Sequence, residues 1–68
     1  MTAVKIIRVM GTSTESWEAA AEEAYVEANE TVEDIHGMKV VSWTAETENG
    51  NVTEYKATVE LSFPVRQS

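Results

Sequence analysis

The side chains that most often carry out chemistry in proteins are scarce in this 68-residue chain. There is no cysteine and only one histidine, His36, so a zinc site of the usual Cys and His ligands cannot be assembled. One aspartate and three glycines leave no material for a Ser-His-Asp triad or a glycine-rich phosphate loop. We therefore expect a protein that is not an enzyme, and we interpret His36 as a helix-end residue.

Carboxylates are the one abundant reactive group. Eight acidic residues fall between positions 15 and 34, with no Lys or Arg among them. Carboxylates on a single helix are expected to face water and not to carry out acid-base work, but carboxylate oxygens are the ligands that Ca²⁺ prefers. A solvated helix face is the simplest interpretation, and a divalent-cation site or an adaptation to a salty cytoplasm are the alternatives.

The two tryptophans are the other residues with functional potential. Trp17 lies on the apolar stripe of a predicted helix, and we interpret it as a core residue. Trp43 lies in the middle of a predicted strand, where it could pack in the core, lie at a subunit interface or stack on a planar ligand. All three roles for Trp43 remain open at this point.

The charge balance excludes one class of partner. Twelve acids against five bases give a formal net charge of −7, the opposite of what a nucleic-acid binder needs. No positively charged, apolar leader and no apolar run of roughly 18 residues is present, so we expect neither secretion nor a membrane span. The expected location is the cytoplasm.

The stretch from Thr12 to His36 predicts one amphipathic helix around which the other elements pack. Hydroxyls at Thr12, Ser13 and Thr14 could cap its start, and Gly37 is suited to a left-handed cap after its end. Small and apolar residues recur at the spacing of one helix face. They are Trp17, Ala20, Ala21, Ala24, Ala28, Val32 and Ile35.

Three strands are predicted around this helix, over residues 3–10, 38–48 and 51–63. Asn49 and Gly50 predict a two-residue hairpin that joins the second and third strands. In the second strand, alternation puts Val41 and Trp43 on one face and Met38 and Val40 on the other. In the third strand, Tyr55, Ala57, Val59, Leu61 and Phe63 share the face expected to meet the helix. Pro64 is expected to end that strand and leave residues 65–68 as a tail.

These elements predict an α+β fold with the order β-α-β-β. A helical crossover makes the first two strands run the same way, and the hairpin makes the third run opposite to both. Placing the third strand between the others gives an antiparallel sheet of order 1-3-2, packed on one helix in a single domain of residues 1–68. A chain this short has a small core and no disulfides, so we expect self-assembly to add stability.

Four sequence motifs follow this order and span nearly the whole chain. The first strand ends in Val9-Met10-Gly11-Thr12-Ser13, and Ser16-Trp17-Glu18-Ala19-Ala20-Ala21 opens the helix. Glu30-Thr31-Val32-Glu33-Asp34-Ile35 closes the helix region, and the last strand reads Tyr55-Lys56-Ala57-Thr58-Val59-Glu60-Leu61-Ser62-Phe63. Together these motifs resemble the dodecin family. The resemblance implies a hollow homododecamer that binds flavin, FMN or riboflavin, for storage or sequestration without turnover.

The family's flavin site, carried over by position, falls on two unlike residues. Dodecins typically stack flavin on a tryptophan just after the helix, which falls on Gly37, and bond it with a glutamine in the last strand, which falls on Lys56. Gly37 offers no ring, and Lys56 cannot reproduce the paired donor and acceptor of an amide. Gly37, Lys56, Glu46 and Trp43 are the candidate ligand-binding residues.

The resemblance also implies an alternative ligand. Some dodecin-like proteins that lack the tryptophan are described with calcium, and the acidic helix of this chain is compatible with that chemistry. Single glutamates from several subunits could meet at a symmetry axis to supply the oxygen ligands that Ca²⁺ needs. A flavin-free shell that binds divalent cations through pooled carboxylates is therefore the second hypothesis, with no metal ligands assigned.

Overall fold

The computed structural model describes residues 3–65, which form three strands and one helix. Strand β1 spans Ala3–Ser13, helix α1 spans Trp17–Asn29, β2 spans Gly37–Glu48 and β3 spans Asn51–Val65. The strands form one antiparallel sheet in the order β1-β3-β2, and α1 packs against β1 and β3. The predicted α+β class, element order and strand order are confirmed. The sheet consequently has a helix-side face and a helix-free face.

Helix α1 begins later than the sequence predicted, because the expected capping residues belong to a strand. Thr12 and Ser13 pair with Lys56 and Tyr55 in the β1–β3 ladder. The N-cap is Ser16, which has extended backbone angles and whose side-chain oxygen accepts from the Ala19 N–H at 3.0 Å. Thr12 therefore caps nothing.

The Ser16 cap leads to a stability prediction. Ser16→Ala removes the acceptor for a first-turn amide, and we expect it to lower the free energy of unfolding by about 1 kcal/mol in urea denaturation. Thr14→Ala is the matched control, because Thr14 is exposed and is not the cap, and such a change typically stays within about 0.5 kcal/mol. Equal losses in the two variants would show that the Ser16 contact contributes nothing.

The helix also ends earlier than predicted, at Asn29 instead of His36. Thr31 and Val32 are β-branched, and the Thr31 hydroxyl donates to the Ala28 carbonyl at 3.4 Å, so the chain leaves the helix there. Asp34 then takes a left-handed φ of 62° in the loop before β2. Gly37 is therefore not the predicted helix cap. It is the first residue of β2 and pairs with Ser62.

The core is small and lies between α1 and the middle of β3. Alternate residues Ala57, Val59 and Leu61 of β3 are fully buried, which confirms the predicted helix-facing set at its centre. The helix contributes only alanines to this buried cluster, namely Ala20, Ala21 and Ala24. Small side chains on one surface let the helix approach the sheet closely, so few large side chains are buried.

A bulge in β2 overturns the predicted division of its faces. Val40 pairs with Val59 and Ser42 with Thr58, so an extra residue, Val41, is inserted between them. Met38 and Val40 before the bulge, and Trp43 after it, are all opposite helix-facing residues of β3. Met38 and Val40 thus lie on the helix-side face together with Trp43, because the extra residue shifts the alternation of the strand by one position.

The predicted end of the last strand is also wrong by two residues. β3 continues through Pro64, which pairs with Val4, to Val65. Pairing with β2 starts only at Ser62, so β3 has one open side beyond that residue and a missing N–H is tolerated there. The remainder of the predicted tail, residues 66–68, lies outside the described residues.

Candidate ligand-binding site

Gly37, the position aligned with the family's stacking tryptophan, lies at the edge of the sheet opposite Ser62. A Cβ atom built on Gly37 would be 2.6 Å from the Ser62 hydroxyl oxygen. The Ser62 hydroxyl therefore occupies the space that a side chain at position 37 would need. A cavity of about 180 Å³ adjoins it, lined by Ile6, Met38, Lys39, Glu60 and Ser62.

Lys56, the position aligned with the family's glutamine, is held by Glu46. The Lys56 Nζ atom lies 2.8 Å from Glu46 Oε2, across the β2–β3 ladder on the helix-free face. This hydrogen bond and the Lys56 charge hold the pKa of Glu46 below its usual value. The same bond raises the pKa of Lys56, and the nearby Glu54 carboxylate adds to the rise. The ammonium of Lys56 is therefore already occupied by a partner of this chain.

The pKa directions of this pair predict a pH dependence. The contribution of Glu46 is present above its unfolded-state pKa and disappears as the pH falls through its lowered folded-state pKa. The contribution of Lys56 is present below its unfolded-state pKa and disappears as the pH rises through its raised folded-state pKa. We expect Lys56→Met to lower stability slightly at neutral pH and less at both extremes, the effect being small because the pair is exposed.

The measurement for this pair is thermal unfolding of the parent chain and the variant from acid to alkaline pH. Arg8→Met is a matched control, because the Arg8 Nη2 atom lies 2.7 Å from Glu60 Oε2 and lowers the pKa of that carboxyl on the same face. An arginine stays charged at alkaline pH, so its variant should converge with the parent only on the acid side. Convergence of Lys56→Met on the acid side alone would contradict the assignment to Lys56.

Gly37 and Lys56 do not meet within one protomer. Both belong to the helix-free face, but Gly37 pairs with Ser62, which is six residues from Lys56 along β3. That separation is about 20 Å at the usual rise of a strand. A ligand that touches both residues must therefore be shared between copies of the chain.

Trp43 is also separated from the ion pair, by the thickness of the sheet. It pairs with the buried Ala57 and so lies on the helix-side face, whereas Glu46 and Lys56 lie on the other.

Trp17 differs from its predicted role as a core residue, since 37% of it is exposed. Its indole N–H donates to the Thr44 carbonyl at 2.8 Å, and its ring meets Tyr55 edge-on at 4.8 Å, so it ties the helix start to the sheet.

The four candidate residues therefore divide into one pair and two separate positions. The structure brings Glu46 and Lys56 together and leaves Gly37 and Trp43 apart from them. Sequence reasoning missed Ser62, the neighbour of Gly37. Counting back from the Asn49-Gly50 hairpin would have found Ser62, because the two irregularities in the β2–β3 ladder shift the pairing in opposite directions and cancel before Gly37.

The carboxylates of a single chain do not form a metal site. Within residues 3–65, no three His, Asp or Glu side chains lie together in a group able to hold a metal ion. A cation bound by carboxylates would need ligands from more than one copy. The same part of the chain contains no helix that is long and apolar enough to cross a membrane.

Comparison with known proteins finds relatives that share the sequence and the fold of this chain. The family model described as Dodecin matches residues 3–66. The calcium dodecin of Mycobacterium tuberculosis is 35% identical over 66 residues, which cover 97% of this chain and 93% of that protein. A crystal structure of that protein, described as a calcium-chelating antigen with a novel calcium-binding site, has a TM-score of 0.82 at 36% identity, over 97% of this chain and 94% of the other.

A dodecin from Thermus thermophilus, solved as a point mutant, has a TM-score of 0.93 at 25% identity and covers 100% of both chains. The match to the family model extends over nearly the whole sequence and includes all four elements of the fold. This chain therefore belongs to the dodecin family.

Proposed function

We propose that this dodecin is a non-catalytic binding protein that works as a closed homododecamer in the cytoplasm. The observation that carries self-assembly is the shape of the protomer. Its radius of gyration is 14.1 Å, and its extents are 53 × 19 × 12 Å. A compact domain of this length would have a radius of gyration of about 11 Å. A long, flat protomer exposes both faces of its sheet, so copies are needed to cover them.

The distribution of large apolar side chains supports the same proposal. Only Leu61 and Val59 are large side chains that are fully buried among the described residues. Val4, Ile6 and Met10 of β1 are more than half exposed on the helix-free face. A monomer rarely leaves so much of its apolar surface in water. Association of copies would bury these side chains.

For the ligand, we propose Ca²⁺ held by carboxylates from several subunits, which reverses the order that the sequence suggested. The calcium dodecin relative matches 97% of this chain. Neither flavin position supplies the expected chemistry, because Gly37 has no ring and Lys56 is bonded to Glu46. The 12 acidic side chains of each chain carry many oxygen ligands. Symmetry can bring together glutamates that are separate in one protomer.

Calorimetric titration of the chelator-treated protein with Ca²⁺ tests this proposal. We expect saturable binding and a higher melting temperature, because a ligand at 100 times its Kd stabilises the folded state by about 2.7 kcal/mol. Mg²⁺ is the matched control, since it is smaller and gives up its water reluctantly. A melting temperature that responds equally to Ca²⁺, Mg²⁺ and NaCl of the same ionic strength would reduce the effect to charge screening and defeat the proposal.

Flavin remains the second candidate ligand, and the cavity beside Ser62 is the observation that favours it. That cavity is lined in part by Ile6 and Met38, which an aromatic ring system could contact. Titration of FMN or riboflavin with the protein should quench the flavin fluorescence if the ring is stacked or sequestered. Unchanged fluorescence at micromolar protein would remove flavin from the proposal.

A further inference from the structure

The helix leaves one side of β2 largely uncovered, and that surface has an exposed tryptophan at its centre. Trp43 is 49% exposed, although it lies on the helix-side face. Met38 on this face is 46% exposed, and Val41, the extra residue of the bulge between Val40 and Ser42, is 41% exposed. No charged residue lies on this face of β2 between Met38 and Ala45. We call this the β2 apolar face.

A cavity lies at one end of the β2 apolar face. Its volume is about 300 Å³, and its walls are Tyr25 of the helix, the Ile35–His36–Gly37 segment and Met38. Pockets that hold small molecules have volumes of about 300 to 1,000 Å³, so an indole ring fits within this one. Most of its walls are aromatic or aliphatic.

We infer that Trp43 of one subunit inserts into this cavity of a second subunit, and that the reverse contact forms at the same time. The inference rests on the proposed self-assembly and assigns a surface to it. Trp43 and the cavity wall at Met38 are five residues apart on one strand, about 15 Å. A two-fold axis that crosses β2 midway between them places each tryptophan over the other subunit's cavity, which is the reciprocal geometry of an isologous dimer.

Charge complements shape in selecting a second copy as the occupant. Two chains with a formal charge of −7 each repel one another over most of their surfaces. The β2 apolar face is free of that repulsion, because Glu46 and Lys39 on the same strand pair with residues of the helix-free face. Two copies can therefore approach along this face of β2 without burying a carboxylate of that strand.

The contact has the composition of an energetic hot spot. Tryptophan and tyrosine are the residues most enriched where truncation weakens an interface, and both are present, as Trp43 and Tyr25. Apolar Ile35 and Met38 around them would exclude water from the inserted ring. We expect Trp43→Ala to raise the dissociation constant of this contact by about 30-fold, the size that accompanies loss of a hot-spot side chain.

The proposed two-fold axis can be tested by cross-linking a single introduced cysteine, because the chain has no native cysteine. Positions 40 and 41 lie nearest the midpoint between Met38 and Trp43, and Val41 is exposed there. We expect Val41→Cys to be joined to its symmetry mate in high yield by a short bismaleimide, which gives covalent dimers on a denaturing gel. Val52→Cys is the matched control, since Val52 is 47% exposed but lies near the hairpin opposite Thr47, six residues along β2 from position 41.

Two further variants identify the tryptophan as the cause. Adding Trp43→Ala to Val41→Cys should lower the dimer yield severalfold, and adding Trp43→Phe should restore part of it because an aromatic ring again fills the cavity. Circular dichroism of each variant checks that the exposed substitutions leave the fold intact. Linking of Val41→Cys that matches the Val52→Cys control, or that survives Trp43→Ala undiminished, would overturn the inference.

The mass of the untreated protein separates this inference from the proposed function. An assembly of dodecameric mass with no linking at position 41 would leave the shell in place and refute the contact through Trp43. A protomer mass at micromolar concentration would defeat both. Binding of a small aromatic molecule such as indole, saturable and unaffected by subunit concentration, would assign the cavity to a ligand and also refute the contact.

Discussion

Gly11→Ala is expected to lower the free energy of unfolding by about 3 kcal/mol, at the upper end of what overpacking costs in a protein interior. Gly11 is buried in β1, and a Cβ atom there would overlap the Ala20 carbonyl oxygen and come within 2.7 Å of the Ala24 nitrogen. Both atoms belong to the helix backbone, so no side chain can rotate away. The whole helix would have to move off the sheet.

Urea denaturation at fixed protein concentration measures this loss, with Gly50→Ala as the control. Gly50 has a φ of +81° in the hairpin and nothing within 4 Å of an added Cβ, so alanine there suffers backbone strain without a clash. That strain costs about 1 to 2 kcal/mol. A loss at Gly11 no larger than the loss at Gly50 would mean that the helix is free to shift. The free energy of unfolding of a native protein is about 5 to 15 kcal/mol in total, so the expected difference between the two variants is readily measured.

Gly11 also shows why the sequence located the elements and misplaced their ends. Hydrophobic alternation and the Asn49-Gly50 hairpin are local patterns, so the strands and the hairpin can be predicted from the sequence alone. A glycine followed by hydroxyl residues usually signals a turn into a helix. In this chain the hydroxyls of Thr12 and Ser13 continue the ladder with β3, and the glycine permits close contact between α1 and the sheet. That contact joins residues distant in sequence, so no local pattern indicates it.

The candidate site was less predictable than the fold, for a related reason. Glu46 faces Glu54 and contacts Lys56 only because an irregularity between Glu46 and Thr47 shifts the pairing by one residue. A bulge has no strong sequence signature, and a one-residue shift transfers side chains to the other face of a sheet. The bulge at Val41 likewise puts Val40 on the same face as Trp43, where regular alternation predicted opposite faces. Resemblance to a family supplied positions for Gly37 and Lys56 but not their neighbours.

The second large prediction is a gain of flavin binding when Gly37, Ser62 and Lys56 are changed together. Gly37→Trp alone would place its Cβ 2.6 Å from the Ser62 hydroxyl oxygen, whereas the Ser62 Cβ is 4.0 Å away. Adding Ser62→Ala therefore removes the clash and keeps an ordinary contact. Gly37 has an extended backbone in β2, so a side chain there is not strained. Lys56→Gln completes the variant by giving an amide donor and acceptor where the ammonium now binds Glu46.

We expect this triple variant to bind riboflavin about 10- to 100-fold more tightly than the parent chain. Stacking of a nucleic-acid base on an aromatic side chain is worth about 1 to 3 kcal/mol, and a flavin ring presents a similar π face. Quenching of riboflavin fluorescence in a titration gives the dissociation constants of both proteins. The matched control replaces Gly37→Trp with Gly37→Leu, which adds apolar volume at the same position but offers no ring.

The comparison of these two variants separates stacking from burial. If the leucine variant binds as well as the tryptophan variant, any apolar wall at position 37 suffices and the ring has no special role. If neither variant binds, the roughly 20 Å between Gly37 and Lys56 in one protomer is not bridged by a neighbouring copy, and a flavin site cannot form in this protein. Binding by the tryptophan variant alone would show that the subunits bring the two positions together, and that Gly37 and Lys56 are what keep flavin out of the parent protein.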